Sequence, residues 1–267
     1  MKVLIILTFI FLSLNTTVNS DSLLVDAINN KNRTPDFIKR DTYRNPKETL
    51  MFFGIKNSLK VIELQPSGGN SPGGWYTEIL APYLKKEGLL IAAHFNPKES
   101  EWRAKMRRTF EERVKYESNF NKIKMSVLSM PPKKLAADDS VDMVLTFRNL
   151  HNWLKVGHLK SVLEVSYKAL KHGGVLGVVE HRAPEDYNIT KMIKSGYVTE
   201  SHAIKLASEV GFILVDKSEI NANKKDTKNH PKGVWTLPPT LKLGNKEKEK
   251  YLAVGESDRM TLKFIKP

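Results

Sequence analysis

Apolar positions recur with a period of two in some blocks and near 3.6 in others, and the blocks take turns along the chain. The two periods separate strands from amphipathic helices. Strands are predicted at Lys60–Leu64, Leu89–Phe95, Lys124–Leu128, Val141–Phe147, Val175–Val179, Phe212–Ile220 and Met260–Ile265. Between them fall helices. Asn45-Pro46-Lys47-Glu48 reads as a helix start, with Asn as N-cap, Pro at N1 and Glu at N3, running to Phe53 and stopping at Gly54. Trp75, Ile79 and Tyr83 form one helical stripe, and a charged helix follows near Glu99–Tyr116. His158–Leu170 carries Leu159, Val162, Leu163 and Leu170 on one side. Thr199 caps a helix whose inner face is Ala203, Leu206, Ala207 and Val210, closed by Gly211. Alternation of this kind predicts an α/β protein: a mostly parallel seven-stranded sheet with helices on both faces. The last two strands have no helix between them, which makes the last strand antiparallel. Their connection, Asn221–Asp258, is a long insertion containing Pro231, Pro238 and Pro239. Loops of that length are functional or mobile.

The N-terminus changes where such a domain would work. Lys2 precedes the apolar run Val3 to Leu14, and Val18 and Ser20 stand at −3 and −1 of a cleavage point before Asp21. That is the form of a secretory signal peptide over residues 1–20, and the run is too short for a finished transmembrane helix. The expected mature protein is exported to a periplasm or secreted, and soluble. Residues 21–267 make one domain with an N-terminal helical extension over 21–58. The chain has no cysteine, which excludes disulfides, thiolate metal sites and a cysteine nucleophile. Its 43 Lys+Arg against 29 Asp+Glu give a net charge of +14, favouring anionic partners. The charge is dispersed. Arg103, Lys105, Arg107 and Arg108 share a helix with Glu99, Glu101, Glu111 and Glu112, which reads as a solvated face. The lysines between Lys224 and Lys250 lack interleaved aromatic platforms, so nothing points strongly to nucleic acid.

Candidate chemistry gathers at the predicted carboxyl edge of the sheet, where open α/β sheets bind ligands. Glu63 ends the first strand, and Gly68, Gly69, Gly73 and Gly74 follow in a loop whose backbone can approach a ligand closely. A dinucleotide site would place its acid on the second strand. A carboxylate on the first strand suits instead a ligand with a cationic group and hydroxyls, such as S-adenosylmethionine. After the fourth strand come Arg148, Asn149, His151 and Asn152, with His151 a candidate base and Arg148 an anion contact. Glu180, His181 and Arg182 end the fifth strand at the same edge. His151, His181 and Glu180 have metal-ligand side chains, but no tight motif such as H-E-x-x-H joins them, so no metal is assigned. No G-x-S-x-G elbow is present, which argues against a serine hydrolase.

The strings PGGWYTEILAPYL, TFRNLHNWL, EHRAPED and SEINANKKDTKNHPKGVWTLPPTL resemble a family of exported bacterial proteins predicted to be class I, Rossmann-like S-adenosylmethionine-dependent methyltransferases. The likeness runs from about Arg40 to Pro267. It implies that Glu63 contacts the methionine part of the cofactor and that Gly68, Gly69, Gly73 and Gly74 pass beneath it. It implies further that Asn96 and Ser129, at the ends of the second and third strands, stand near its ribose and adenine. The chain departs from the superfamily pattern in having Gln65-Pro66-Ser67 after the acid. It departs again in offering His94 and Asn96, not a carboxylate, where the ribose is clasped. The function expected is methyl transfer to an oxygen or nitrogen of an unidentified acceptor. The alternative is a non-catalytic envelope binding protein that keeps the fold, and a nicotinamide-dependent oxidoreductase fits less well. Nothing in the sequence speaks to oligomeric state.

Overall fold

The computed structural model describes residues 20–66, 73–120 and 122–267. The sheet has seven strands: β1 (Lys60–Leu64), β2 (Leu89–Phe95), β3 (Lys124–Leu128), β4 (Val141–Phe147), β5 (Leu170–His181), β6 (Ile213–Ser218) and β7 (Arg259–Ile265). Their order is β3-β2-β1-β4-β5-β7-β6. The first five run parallel, while β7 is antiparallel to both β5 and β6. Strand order reverses between β1 and β4, the position at whose carboxyl ends open α/β sheets place their ligands.

Alternation along the strands fills two cores. Ile62, Leu64, Val144 and Leu176 face one side, packed against helices α7 (Leu150–Lys155), α8 (Leu159–Ala169), α9 (Ile189–Ser195) and α10 (Glu200–Val210). Val61, Met143 and Leu145 face the other. There they meet α1 (residues 20–28), α2 (Pro35–Ile38), α4 (Pro46–Phe53), α5 (Thr77–Leu84) and α6 (Glu101–Tyr116). A short helix, α3 (Asp41–Arg44), links α2 to α4. Gly177 in β5 lets Phe53 and Leu145 close over the sheet, since a Cβ there would come within 2.8 Å of Phe53.

Strands one to four occupy the predicted residues, whereas β5 starts at Leu170 and carries a register shift against β4 between Val141 and Met143. Asn45 occupies the N-cap position of α4 as predicted, with Pro46 at N1, but its side chain caps no amide of the helix. It sits in the left-handed region at φ 40°, and its amide donates to the Ile220 carbonyl at 2.7 Å, tying α4 to the insertion. Ser100, not Glu99, caps α6, its hydroxyl accepting from the Arg103 amide at 3.2 Å. Nor is that helix solvated all round. Arg107 donates to the Ser126 carbonyl at 2.9 Å, and Arg113 to Glu78 at 2.6 Å, both arginines being buried. The insertion is folded, holding a 3₁₀ turn at Gly233–Thr236 and helix α11 (Lys248–Val254). Asp226 anchors it by accepting from the Tyr197 hydroxyl at 2.9 Å and the Asp258 amide at 2.8 Å.

The proposed signal peptide lies, apart from Ser20, outside the described residues. Ser20 is buried in α1 and its hydroxyl shares a 2.6 Å hydrogen bond with the Tyr83 hydroxyl. Among the described residues no helix is long and apolar enough to cross a membrane.

Candidate functional site

The carboxyl end of β1 carries a buried acid under a glycine turn. Gly68 and Gly69 lie outside the described residues. Gly73 and Gly74 take φ of 79° and 78°, conformations that glycine adopts without strain. The Gly74 amide donates back to the Pro66 carbonyl, and Arg113 holds the Gly73 carbonyl at 2.7 Å. A Cβ at Gly74 would press on Thr77 and Phe110, so the turn sits directly on α5 and α6. Gln65 stands two residues after the acid, where the superfamily pattern places a glycine, and it adopts the left-handed φ of 50°. That conformation costs a residue with a Cβ about 1 kcal/mol. The side chain is held by the Trp153 indole, which donates to Gln65 Oε1 at 2.7 Å.

Beneath the turn, the Glu63 carboxyl is buried and accepts one hydrogen bond, from the Thr77 hydroxyl at 2.6 Å. Among the described residues it forms no ion pair. Burial pushes its pKa up to about 8, against the smaller opposing effect of Thr77. His94, on the same face as Glu63, is fully buried with both ring nitrogens unpartnered. Burial first, then the charge of Arg107, hold it neutral, with a pKa near about 3.

Asn96 and Ser129 are engaged locally. Asn96 Oδ1 accepts from the Lys98 amide at 3.1 Å, and the Ser129 hydroxyl donates to the Pro131 carbonyl at 2.9 Å. An acid does reach this end of the sheet, by a route the sequence reading missed. Glu99 accepts from the Met130 amide at 2.7 Å and pairs with Arg103. Beside it Phe95, Leu128, Met130, Trp153 and Val156, with the polar Gln65, Arg103 and Asn152, line a small hollow open to solvent. Apolar walls of this kind suit contact with the face of an aromatic base. The buried carboxyl without a cation suits an ammonium group. Together they fit S-adenosylmethionine.

Across the β1–β4 junction the structure brings His151, Glu180 and His181 together, their ligand-type atoms within 4.8 Å of one another. All three are buried. Glu180 ends β5 and faces the start of α7, so its carboxylate caps that helix, accepting from the Leu150 amide at 2.5 Å and more weakly from the His151 amide at 3.4 Å. Its other oxygen accepts from the His181 amide at 2.8 Å and lies 3.0 Å from His151 Nδ1. With the carboxylate as acceptor, His151 carries its proton on Nδ1, and Nε2 is left as a lone-pair base. Both Glu180 oxygens are occupied by these donors, so the cluster is arranged to orient an imidazole. His181 Nδ1 is 2.5 Å from the Ser257 hydroxyl, and burial, followed by His151 and Arg148, lowers its pKa well below the usual histidine range. Among the described residues neither Nε2 has a hydrogen-bond partner. Trp235, from the insertion, packs edge-on to His151 with centroids 5.9 Å apart. Arg148 directly follows β4 at a left-handed φ of 62°, its amide bonded to the Val179 carbonyl at 2.7 Å. Asn149 bridges to the Leu64 carbonyl at 3.1 Å, and Asn152 is exposed.

No protein-family model matches the chain, and no curated protein does. Solved structures share its fold. An S-adenosylmethionine-dependent methyltransferase from Aquifex aeolicus matches with a TM-score of 0.53 and 16% identity, over 68% of this chain and 87% of that one. A proposed sarcosine dimethylglycine methyltransferase from Galdieria sulphuraria gives 0.56 and 15%, over 86% and 88%. The cyclase SpnF gives 0.59 and 11%, over 89% and 85%. The fold is that of the class I S-adenosylmethionine-dependent methyltransferases.

The buried acid has a measurable consequence. Below about pH 4.5 Glu63 is protonated in both states. Between there and about 8 the unfolded chain loses the proton while the folded chain keeps it, so stability falls as pH rises through this window. Denaturant unfolding of Glu63→Gln should lack that fall. Its stability relative to wild type should rise by roughly 4 kcal/mol between pH 4.5 and 8. Parallel pH profiles would show that Glu63 is solvated.

Proposed function

We propose that the protein is an S-adenosylmethionine-dependent methyltransferase that methylates an oxygen or nitrogen of its acceptor, with His151 as the base. One juxtaposition carries the reading: a buried carboxyl without a cation ends β1, and an imidazole oriented by Glu180 follows the adjacent β4. Glu63 would hold the cationic methionine end of the cofactor, and the Gln65–Phe95–Met130 hollow its nucleoside. When bound, S-adenosylmethionine supplies an electrophilic methyl group, so the protein's share of the chemistry is alignment and proton removal. His151 Nε2 takes the acceptor proton. Glu180 fixes the ring's tautomer and direction, and Trp235 shields one side of it from water.

S-adenosylhomocysteine should therefore raise the thermal midpoint, since a ligand bound only by the folded state stabilises it. Glu63→Ala should remove the shift without unfolding the chain. With an acceptor in hand, His151→Ala should lower kcat by about 10²–10⁴-fold and leave cofactor affinity unchanged. A second reading, an envelope binding protein that keeps the fold and binds another ligand, is favoured by Gln65 in place of a glycine and by Asn96 being spent on its own turn. The cyclase SpnF illustrates that this fold is not tied to one reaction. No thermal shift at millimolar S-adenosylhomocysteine would select that reading.

Export belongs to the same proposal and rests on the Lys2 to Ser20 pattern, in line with the resemblance to exported proteins. Cleavage after Ser20 would remove its bond to Tyr83 and leave α1 starting at Asp21. Intact-mass measurement on exported material should give a chain beginning at Asp21; a mass that retains Met1 would rule the signal peptide out.

A further inference from the structure

Four guanidinium groups converge beside His181. Arg40 precedes α3, Arg44 ends it, Arg148 follows β4, and Arg259 opens β7 opposite His181 in the β5–β7 ladder. They share one carboxylate. Glu256 pairs with Arg40 at 2.6 Å, Arg44 at 3.1 Å and Arg259 at 3.2 Å. The neighbouring Asp258 is already taken by Arg182 at 3.0 Å and Lys228 at 2.9 Å. The other buried arginines have no such excess. Arg33 is matched by Asp41, and Arg113 by Glu78 and Glu117.

The donors are also incompletely used. Nη2 of Arg40 and Nη2 of Arg44 are both buried without an acceptor, although Arg44 is only 1% exposed. Among the described residues no acceptor lies within hydrogen-bond distance of the Arg148 guanidinium, and the residue as a whole is half-buried. Buried charged donors without partners are costly, and so is a crowd of like charges. Burial, followed by Arg44, pushes the Arg148 pKa down, and Arg259 is lowered by burial as well. Arg148 holds its place at a strained, left-handed backbone position, a cost that structures retain where the geometry is used. Tyr76, stacked on Phe147 with centroids 3.5 Å apart, lies beside Arg44, Arg148 and Arg259, and its hydroxyl donates to the Arg44 carbonyl at 3.4 Å.

We propose that Arg40, Arg44, Arg148 and Arg259 form the binding site for an oxyanion of the methyl acceptor, a carboxylate or a phosphate, so that the enzyme methylates acidic small molecules. This rests on the methyltransferase reading. The placement favours the acceptor over the cofactor's own carboxylate. The arginines gather around the ends of β4, β5 and β7, whereas the hollow fitted to the nucleoside lies at the ends of β1, β2 and β3. It also disfavours a polyanion such as nucleic acid, because the charges are enclosed and not spread along a surface. Planar guanidinium groups offer the paired donors that carboxylate and phosphate accept.

The test is ligand binding by the full chain, read by thermal midpoint with inorganic phosphate and with succinate, at an ionic strength held constant with chloride. A saturable rise is expected for wild type at millimolar anion. Arg148→Gln should weaken it about ten-fold or more, with Arg148→Lys intermediate because charge survives and the planar fork does not. Without anion, Arg148→Gln should be at least as stable as wild type, since it removes an unmatched charge. A response that does not saturate, or is the same in both variants as in wild type, would overturn the site. Should Arg148→Gln fail to fold, Arg148→Lys decides alone. Two nucleosides separate the source of the anion. Affinity for S-adenosylhomocysteine and for 5′-methylthioadenosine, which lacks the carboxylate, should both be untouched by Arg148→Gln. Weakening of the first alone would assign the arginines to the cofactor and overturn the acceptor proposal. Saturable phosphate binding with no binding of either nucleoside would retain the oxyanion site and refute the methyltransferase reading on which its acceptor role depends.

Discussion

A carboxyl group buried at the end of the central strand with a single hydroxyl for company sets the terms of this molecule. Removing a carboxylate from water without a cation or several N–H donors is expensive, so Glu63 keeps its proton to about pH 8. Packing would be easier with a neutral residue there. The β1 backbone, Thr77 on α5 and the turn at Gly73–Gly74 nonetheless converge on that carboxyl. A cation would relieve such an arrangement, which is why Glu63 is proposed as the partner of the cofactor's ammonium group.

Glu180 shows the opposite solution two strands further on. It is equally buried, but four N–H groups surround it, three from the backbone and one from His151. Those donors fix the orientation of its carboxyl group, and that rigidity passes to the imidazole. Glu256 is a third case, a carboxylate outnumbered by arginines, where burial works against ionisation but Arg44, Arg259 and Arg40 hold the pKa far below the usual carboxylate range. A carboxyl awaiting a cation, a carboxylate orienting a base and an arginine group awaiting an anion lie along one sheet edge. On the proposed reading, their order from β1 to β7 would be cofactor partner, base and acceptor anchor.

Much of the architecture was legible in the chain because burial on a parallel sheet imposes local patterns. The first four strands read correctly because each is a short, apolar-rich run bounded by turns or charges. The helix stops at Gly54 and Gly211 followed from glycine's tolerance of left-handed φ. His151, Glu180 and His181 could be nominated because each directly follows or ends a strand at the carboxyl edge. Other features depend on contacts that no local pattern records. Arg107 reads as part of a solvated face among its glutamates, yet it turns inward to a backbone carbonyl, as Arg113 does to a carbonyl and to Glu78. Asn45 carries the signature of a cap and instead spans to Ile220, 175 positions away. The Arg40–Glu256 pair joins residues 216 apart. Gln65 shows the limit of motif reading from the other side, since its backbone takes a left-handed, glycine-like conformation at a residue that is not glycine.

Calorimetric titration at pH 7 with S-adenosylhomocysteine tests directly whether Glu63 meets a cation. The ligand's ammonium group should favour the ionised carboxylate, so binding should release a proton. The observed heat should then change with the ionisation enthalpy of the buffer, corresponding to a net release approaching about one proton per ligand bound. Glu63→Gln should show none of that release. Binding whose heat is the same in every buffer, in wild type as in Glu63→Gln, would contradict the assignment of Glu63 as the cofactor's cation partner.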